Sequence, residues 1–195
     1  MNNKEKIVRE SLYLFAENGF DKTSVRDIAK RVGIRESAIY NHYKSKREIF
    51  DVLLYEAKKR LAASRYVDDD LLELLPKPDI FFDKLTKRIV TLWSDTEDKA
   101  YTKLLIQARF NSSVRFDFKL EDLFSNLRKL LKIVFTELKN YGYTRDLPIE
   151  FLVDEFISPL IVLKFRFLIN DFFDYEQVLT YAQNYSRAFW KQIKK

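Results

Sequence analysis

Apolar side chains recur along this chain at helical rather than strand spacing, and the recurrence is interrupted by only a few turn residues. From about Asn3 to Asn18, Val8, Leu12 and Phe15 form one stripe with Ile7 and Leu14 beside it, which predicts a first helix. Gly19 stands where a left-handed residue would end it, with Phe20 packing back on Phe15 in a Schellman-type cap. Ser24 opens a second, short helix. Asp27 completes a capping box three residues later, and Val25, Ile28, Ala29 and Val32 supply the apolar face. Gly33 then offers the positive φ of a tight turn, and the helix after it turns Ile39 and Tyr43 inward. Ser45-Lys46-Arg47-Glu48 is another capping box, opening a helix through Phe50, Leu53, Leu54, Ala57 and Leu61 that ends near Arg65.

The acidic run Asp68-Asp69-Asp70 and the stretch Pro76-Lys77-Pro78 predict a loop or a broken helix. Beyond them the pattern predicts helices at about 79–94, 97–111, 117–141, 148–172 and 175–193, with Gly142 as the clearest stop. Only three glycines and four prolines punctuate a chain that is 47% hydrophobic and 33% charged, so the expected class is all-α. The expected organisation is a helix-turn-helix domain over 1–48, a linking helix over about 45–65, and a helical ligand-binding and dimerisation domain over 49–195.

Composition narrows the chemistry. The chain has no cysteine, which excludes disulfides, thiolate metal sites and cysteine nucleophiles, and fits a reducing cytoplasm. One histidine leaves no multi-histidine metal site, and no cofactor is expected. With no Gly-rich phosphate loop and no spacing that assembles a catalytic group, an enzyme is not expected. No signal peptide and no apolar run long enough to span a bilayer is read from the sequence. The net charge of +6 is segregated: residues 1–65 hold 15 Lys and Arg against 9 Asp and Glu, whereas residues 66–195 hold 20 against 20. Such a basic region is the electrostatic footprint of a polyanion partner.

Two short helices joined by a glycine turn between Ser24 and Tyr43 make a helix-turn-helix, whose second helix enters the major groove of DNA. On a helix starting near Glu36, residues Ser37, Tyr40, Asn41 and Lys44 share one face opposite Ile39 and Tyr43. Asn41 suits an adenine edge, Arg35 a guanine and Glu36 a cytosine amine, while Ser37 is permissive. Tyr40 and Lys44 suit phosphate. Lys46 with the N-terminus of the fourth helix, and the Thr23 and Ser24 hydroxyls at the start of the second, are further phosphate anchors.

The stretch from Ile7 to Phe50 resembles the DNA-binding domain of TetR-family regulators. The resemblance is carried above all by Leu14-Phe15-Ala16-Glu17-Asn18-Gly19-Phe20, Thr23-Ser24-Val25-Arg26-Asp27-Ile28-Ala29 and Ile39-Tyr40-Asn41-His42-Tyr43-Lys44-Ser45-Lys46. It implies an all-helical homodimer, usually a repressor, in which a small molecule in the C-terminal domain changes the spacing of two reading heads and releases the operator. It supports Tyr40, Lys46 and Thr23 or Ser24 as phosphate contacts and residues 35–37 and 41 as base readers. By the same analogy His42, which flanks the polar face, is a phosphate contact. Arg35 departs from the Ser or Thr that members often carry as the helix cap, and is assigned a base or phosphate contact instead. Tyr43 replaces a common Phe.

The remaining two-thirds hold 23 of the 30 aromatic residues. Trp93, Tyr101, Arg109, Phe110, Phe124 and Leu127 are the candidates for a pocket, since pockets are mostly apolar with a few placed polar groups. The segment Phe151 to Phe173 is apolar nearly all round, interrupted by Asp154-Glu155, Lys164 and Arg166 and with Pro159 expected to kink it, which marks a helix buried on several sides. Its Phe156, Leu160, Leu163 and Phe167, with Val178, Ala182, Tyr185 and Phe189 of the last helix, are the candidates for a four-helix dimer interface, the alternative being burial wholly within the subunit. The expected partners are therefore a double-stranded DNA operator, a second copy of the chain and a small, largely apolar ligand, with no membrane. The alternative is a helical module that binds an apolar ligand or a partner and does not read DNA.

Overall fold

The structure, a computed structural model, describes residues 2–114, 116–169 and 174–195. The end of the helix expected to reach residue 172, and of the apolar segment expected to run to Phe173, lies outside the described residues. Among those residues there are ten α-helices: α1 Asn3–Asn18, α2 Val25–Val32, α3 Glu36–Tyr40, α4 Lys46–Lys59, α5 Asp69–Leu72, α6 Pro78–Ser94, α7 Thr96–Phe110, α8 Asp122–Asn140, α9 Ile149–Ile169 and α10 Tyr175–Ile193. A 3₁₀ turn covers Ala63–Arg65, and the described residues hold no strand, only an isolated bridge between Thr144 and Lys194. The linking helix stops at Lys59 rather than near Arg65, and Asp68 caps the short α5 within the segment expected to be looped or broken.

The chain divides into two compact units. Residues 1–60 and 96–120 form the first, residues 61–95 and 121–195 the second. This packing division differs in kind from the functional one expected at 48/49, because α7 packs on α1 and α4 despite its distance from them along the chain.

In the first unit Ile7, Leu12, Phe15, Ile28, Ile39, Ile49, Phe50 and Leu53 are fully buried. Burying each such side chain contributes about 1.5–3 kcal/mol. Phe20 joins Phe15 and Phe50 in a ring cluster with centroids 4.8–5.8 Å apart. The expected contact between Phe15 and Phe20 is therefore present, but the Schellman geometry is not. Gly19 has φ 83° and ψ 165°, and its N–H donates to the Phe15 carbonyl alone.

In the second unit Phe82 lies at the centre of a cluster with Phe81, Phe135, Phe156, Phe189 and Trp190, ring centroids 5.2–6.4 Å apart. Here the expected dimer residues need correcting. Phe156, Leu160, Leu163, Phe167, Val178, Ala182 and Phe189 are at most 7% exposed in the single chain. They face the subunit's own core, where α6, α8 and α10 pack against α9. Tyr185 is half-buried, its hydroxyl donating to the Glu155 carbonyl. The apolar composition of α9 hid which side turns inward. Its outer face carries Phe151, Asp154, Glu155, Ser158, Val162, Phe165 and Arg166, and that of α10 includes Tyr181, Asn184 and Ala188.

Candidate nucleic-acid interface

Local chemistry fixes the two helices of the candidate interface. The Ser24 side chain accepts from the Asp27 N–H at 3.1 Å while the Asp27 carboxylate accepts from the Ser24 N–H at 2.9 Å and from its hydroxyl at 2.6 Å. These bonds from Ser24 are the main reason the Asp27 carboxyl sits below its ordinary value. At the other end Gly33 adopts the left-handed conformation, φ 79° and ψ 34°. Ile34 N–H donates to Ala29 O at 3.0 Å and Gly33 N–H to Lys30 O at 3.3 Å, the paired bonds of a Schellman cap.

Arg35 precedes α3 in extended conformation and makes no side-chain cap. α3 is shorter than the sequence pattern suggests: Asn41 sits at its C-cap and Lys44 lies beyond it, ahead of α4. The chain still turns helically there, since Tyr43 N–H donates to Ile39 O at 3.0 Å, and this buries the Tyr43 ring. Ser45 then caps α4 through the Glu48 N–H at 3.2 Å. The reciprocal bond of the expected box falls one residue earlier, with the Lys44 N–H donating to the Glu48 carboxylate at 2.6 Å.

Ile39 pins α3 to the core at 1% exposure, so its opposite face stays in solvent. Arg35, Glu36, Ser37, Tyr40, Asn41, His42 and Lys44 are all exposed, and their side chains make no hydrogen bond or ion pair among the described residues. Neighbouring charges are engaged: Arg31 pairs with Glu10 at 3.3 Å and Glu17 at 3.4 Å, and Arg47 with Asp51 at 2.8 Å.

The expected phosphate anchors divide into two groups. Tyr40, His42 and Lys44 project into solvent. Thr23 is 2% exposed, its hydroxyl donating to the Gly19 carbonyl at 2.8 Å. Ser24 is occupied by its capping box. Lys46 is half-buried, with Nζ 2.7 Å from the Phe20 carbonyl, 2.8 Å from the Thr23 carbonyl and 4.1 Å from the centre of the Phe20 ring. Thr23 and Lys46 are thus internal braces of the turn that presents α2. The sequence showed their residue types but not these partners.

The six pocket candidates fall in different units. Trp93, Phe124 and Leu127 are buried in the second, where the Trp93 and Phe124 rings lie 5.9 Å apart. Tyr101, Arg109 and Phe110 belong to the first. Tyr101 is buried beneath the Arg60 guanidinium at 4.4 Å, whereas Arg109 is exposed and Phe110 is 73% exposed. Around Trp93 the sequence reading missed Tyr66, whose hydroxyl accepts from the indole N–H at 3.2 Å, and Lys164, whose buried Nζ lies 5.2 Å from the indole. The available signal was a cation four residues after Leu160 on an otherwise apolar stripe. Among the described residues there is no cluster of three or more metal-ligating side chains, and no helix long and apolar enough to cross a membrane.

Residues 7–53 match the sequence model of the bacterial regulatory proteins of the tetR family. The same region is 42% identical over 48 residues to IcaR of Staphylococcus aureus strain Newman, described as the HTH-type negative transcriptional regulator of the biofilm operon icaADBC, covering 25% of this chain and 26% of that one. A Staphylococcus epidermidis protein of the same description is 43% identical over 47 residues, or 24% and 25% of the two chains. The chain thus matches only about a quarter of the length of these relatives. Over the whole chain the fold is similar to the ketosteroid transcriptional regulator KstR2 of Mycobacterium tuberculosis, at TM-score 0.68 and 23% identity over 100% of this chain and 96% of that one. It is also similar to the TetR-family regulator PfmR of Thermus thermophilus, at TM-score 0.66 and 19% identity over 98% and 97%. Residues 7–53 thus carry the sequence pattern of the tetR family of bacterial regulatory proteins, and the fold of the chain as a whole is similar to that of solved regulators described as members of that family.

Proposed function

We propose that the protein is a dimeric transcriptional repressor that binds a two-fold symmetric operator through α2 and α3 and leaves it when a small, largely apolar molecule binds the second unit. The observation that carries this reading is the row Arg35, Glu36, Ser37, Tyr40 and Asn41, whose side chains are exposed and without partners among the described residues, on and at the ends of a helix anchored from behind by Ile39. Its place on the second helix of a helix-turn-helix distinguishes this row from an ordinary solvated face, because that helix enters the major groove and base edges are recognised by side chains free to form bidentate bonds. Arg35, Glu36, Ser37 and Asn41 take the bases, while Tyr40, His42 and Lys44 hold phosphates.

Repression is supported by the described role of the IcaR relatives. Dimerisation is supported by the outer stripe of α9 and α10, where Phe151 is 48%, Val162 60% and Tyr181 56% exposed. Ligand control is supported by the buried aromatic group Tyr66, Trp93 and Phe124 with Leu127. The test is selection of duplexes from a random pool by the purified protein. A dyad-symmetric consensus whose affinity falls steeply with salt is expected. A consensus without dyad symmetry would overturn the dimeric reading, and retention of no sequence would overturn the whole.

A further inference from the structure

A second candidate binding site lies in the second unit, away from Trp93, and depends on nothing in the DNA-binding reading. Leu72, Glu73, Leu75, Pro76, Tyr141 and Tyr143 line a cleft of about 330 Å³. That is near the lower limit for small-molecule sites. Three of its apolar side chains are unusually open to solvent: Tyr141 is 67%, Leu72 42% and Tyr143 36% exposed. Clustered exposure of this kind marks an interaction site more often than scattered exposure does.

The backbone that carries the two rings is fixed by its own hydrogen bonds. Gly142, at φ 74°, ends α8 in a Schellman cap: Tyr143 N–H donates to Leu138 O and Gly142 N–H to Lys139 O, each at 2.9 Å. Beyond it the chain is bonded to the C-terminal residues, Lys195 N–H donating to Tyr143 O at 3.0 Å and Arg145 N–H to Ile193 O at 2.7 Å. The opposite wall is equally fixed, by bonds from Leu75 N–H to Leu72 O at 3.0 Å and Lys77 N–H to Leu74 O at 2.8 Å. The Tyr141 and Tyr143 rings stand 6.3 Å apart with their planes 47° from parallel. A group above the notch between them lies within cation–π range of both faces, which is about 6 Å from each centroid.

Glu73 supplies the charge. It is the one ionisable carboxylate among the six lining residues, it is exposed, and its side chain has no hydrogen bond or ion pair among the described residues. Lys139, in the last turn of α8, is bonded to Asp146 at 2.6 Å and to the Leu147 carbonyl at 3.3 Å. Two electron-rich faces, an apolar floor of Leu72, Leu75 and Pro76, and one unpaired carboxylate suit a small organic cation with an apolar body. We propose that this cleft binds alkylammonium compounds, the quaternary trimethylammonium group above all.

Choline and its uncharged isostere 3,3-dimethylbutan-1-ol test this, titrated into the full-length protein by calorimetry. Choline should bind at least about tenfold more tightly than the isostere. Each of Tyr141→Leu and Tyr143→Leu should weaken choline about threefold and leave the isostere unchanged. Glu73→Gln, a surface change with no fold to disturb, should also weaken choline selectively. Equal affinity for the two probes, no measurable choline binding, or choline affinity indifferent to Glu73→Gln and to both tyrosine variants would overturn the proposal.

Discussion

Replacing Lys46 by Met removes the ammonium and keeps an aliphatic stem of similar length, which isolates what the charge contributes to the unbound protein. Lys46 Nζ bonds the Phe20 and Thr23 carbonyls at 2.7 and 2.8 Å and lies 4.1 Å from the Phe20 ring centre. Hydrogen bonds from a charged donor contribute about 1.5–3 kcal/mol each, and a cation–π contact about 0.5–1 kcal/mol. The site is half-buried, so in the variant both carbonyls regain water and the contributions do not simply add. The expected loss is about 2 kcal/mol, against less than about 0.5 kcal/mol for a surface residue whose only task is to touch phosphate. For a chain of this size that corresponds to a fall of roughly 4–8 °C in Tm. Urea and thermal unfolding of free Lys46→Met followed by circular dichroism read it directly, with Lys44→Met as the exposed control. An unchanged midpoint, accompanied by a DNA-binding salt slope shallower by about one, would refute the brace and return Lys46 to the phosphates.

Three further outcomes follow from the same geometry. Asn41→Ala should relax specificity at one position of each half-site by about 1–3 kcal/mol, whereas Tyr40→Phe should weaken all sequences alike; identical profiles on a panel of variant duplexes would show the contacts to be wrongly sorted. Gly33→Ala should cost about 1 kcal/mol in chemical denaturation and Gly33→Asn less, because a Cβ there meets nothing within 4 Å and the penalty is purely conformational. Burial, and then the nearby Glu155, push the Tyr185 hydroxyl up to about 12. Its neutral form is therefore favoured in the folded state, and stability falls as pH rises from about 10, where the unfolded tyrosine ionises, toward 12. The absorbance titration of Tyr185→Phe should lack a component near pH 12, and the variant's stability should fall less than the parent's between pH 10 and 12; loss of a component near pH 10 instead would contradict this.

Much of the head was legible because its chemistry is local. The Ser24 and Asp27 box, the Gly33 turn and the inward Ile39 each depend on residues within five positions of one another, so spacing alone located them. Lys46 was misplaced because its partners are 26 and 23 residues away and are carbonyls, which leave no mark in a sequence. α3 ended early for a related reason: turning Tyr43 into the core and giving the Lys44 N–H to Glu48 takes Lys44 off the face that helical spacing assigned it. In the second unit the start of α9 could be read but which of its apolar side chains turn inward could not. Asp154, Glu155, Ser158 and Arg166 do mark its outer side, but Lys164 is buried while Phe151, Val162 and Phe165 lie outside, so polarity and position agree only in part, and Leu160 and Phe156 went inward where an interface was expected.

The central claim is that the exposed row on α3 reads DNA, and the combined variant Arg35→Ala/Tyr40→Phe/Asn41→Ala tests it most directly. Fluorescence anisotropy on the selected duplex at fixed salt should show affinity falling at least about a hundredfold, to the level of non-specific binding, while the unfolding midpoint stays that of the parent. Undiminished affinity in a folded variant would contradict the assignment of DNA recognition to that row.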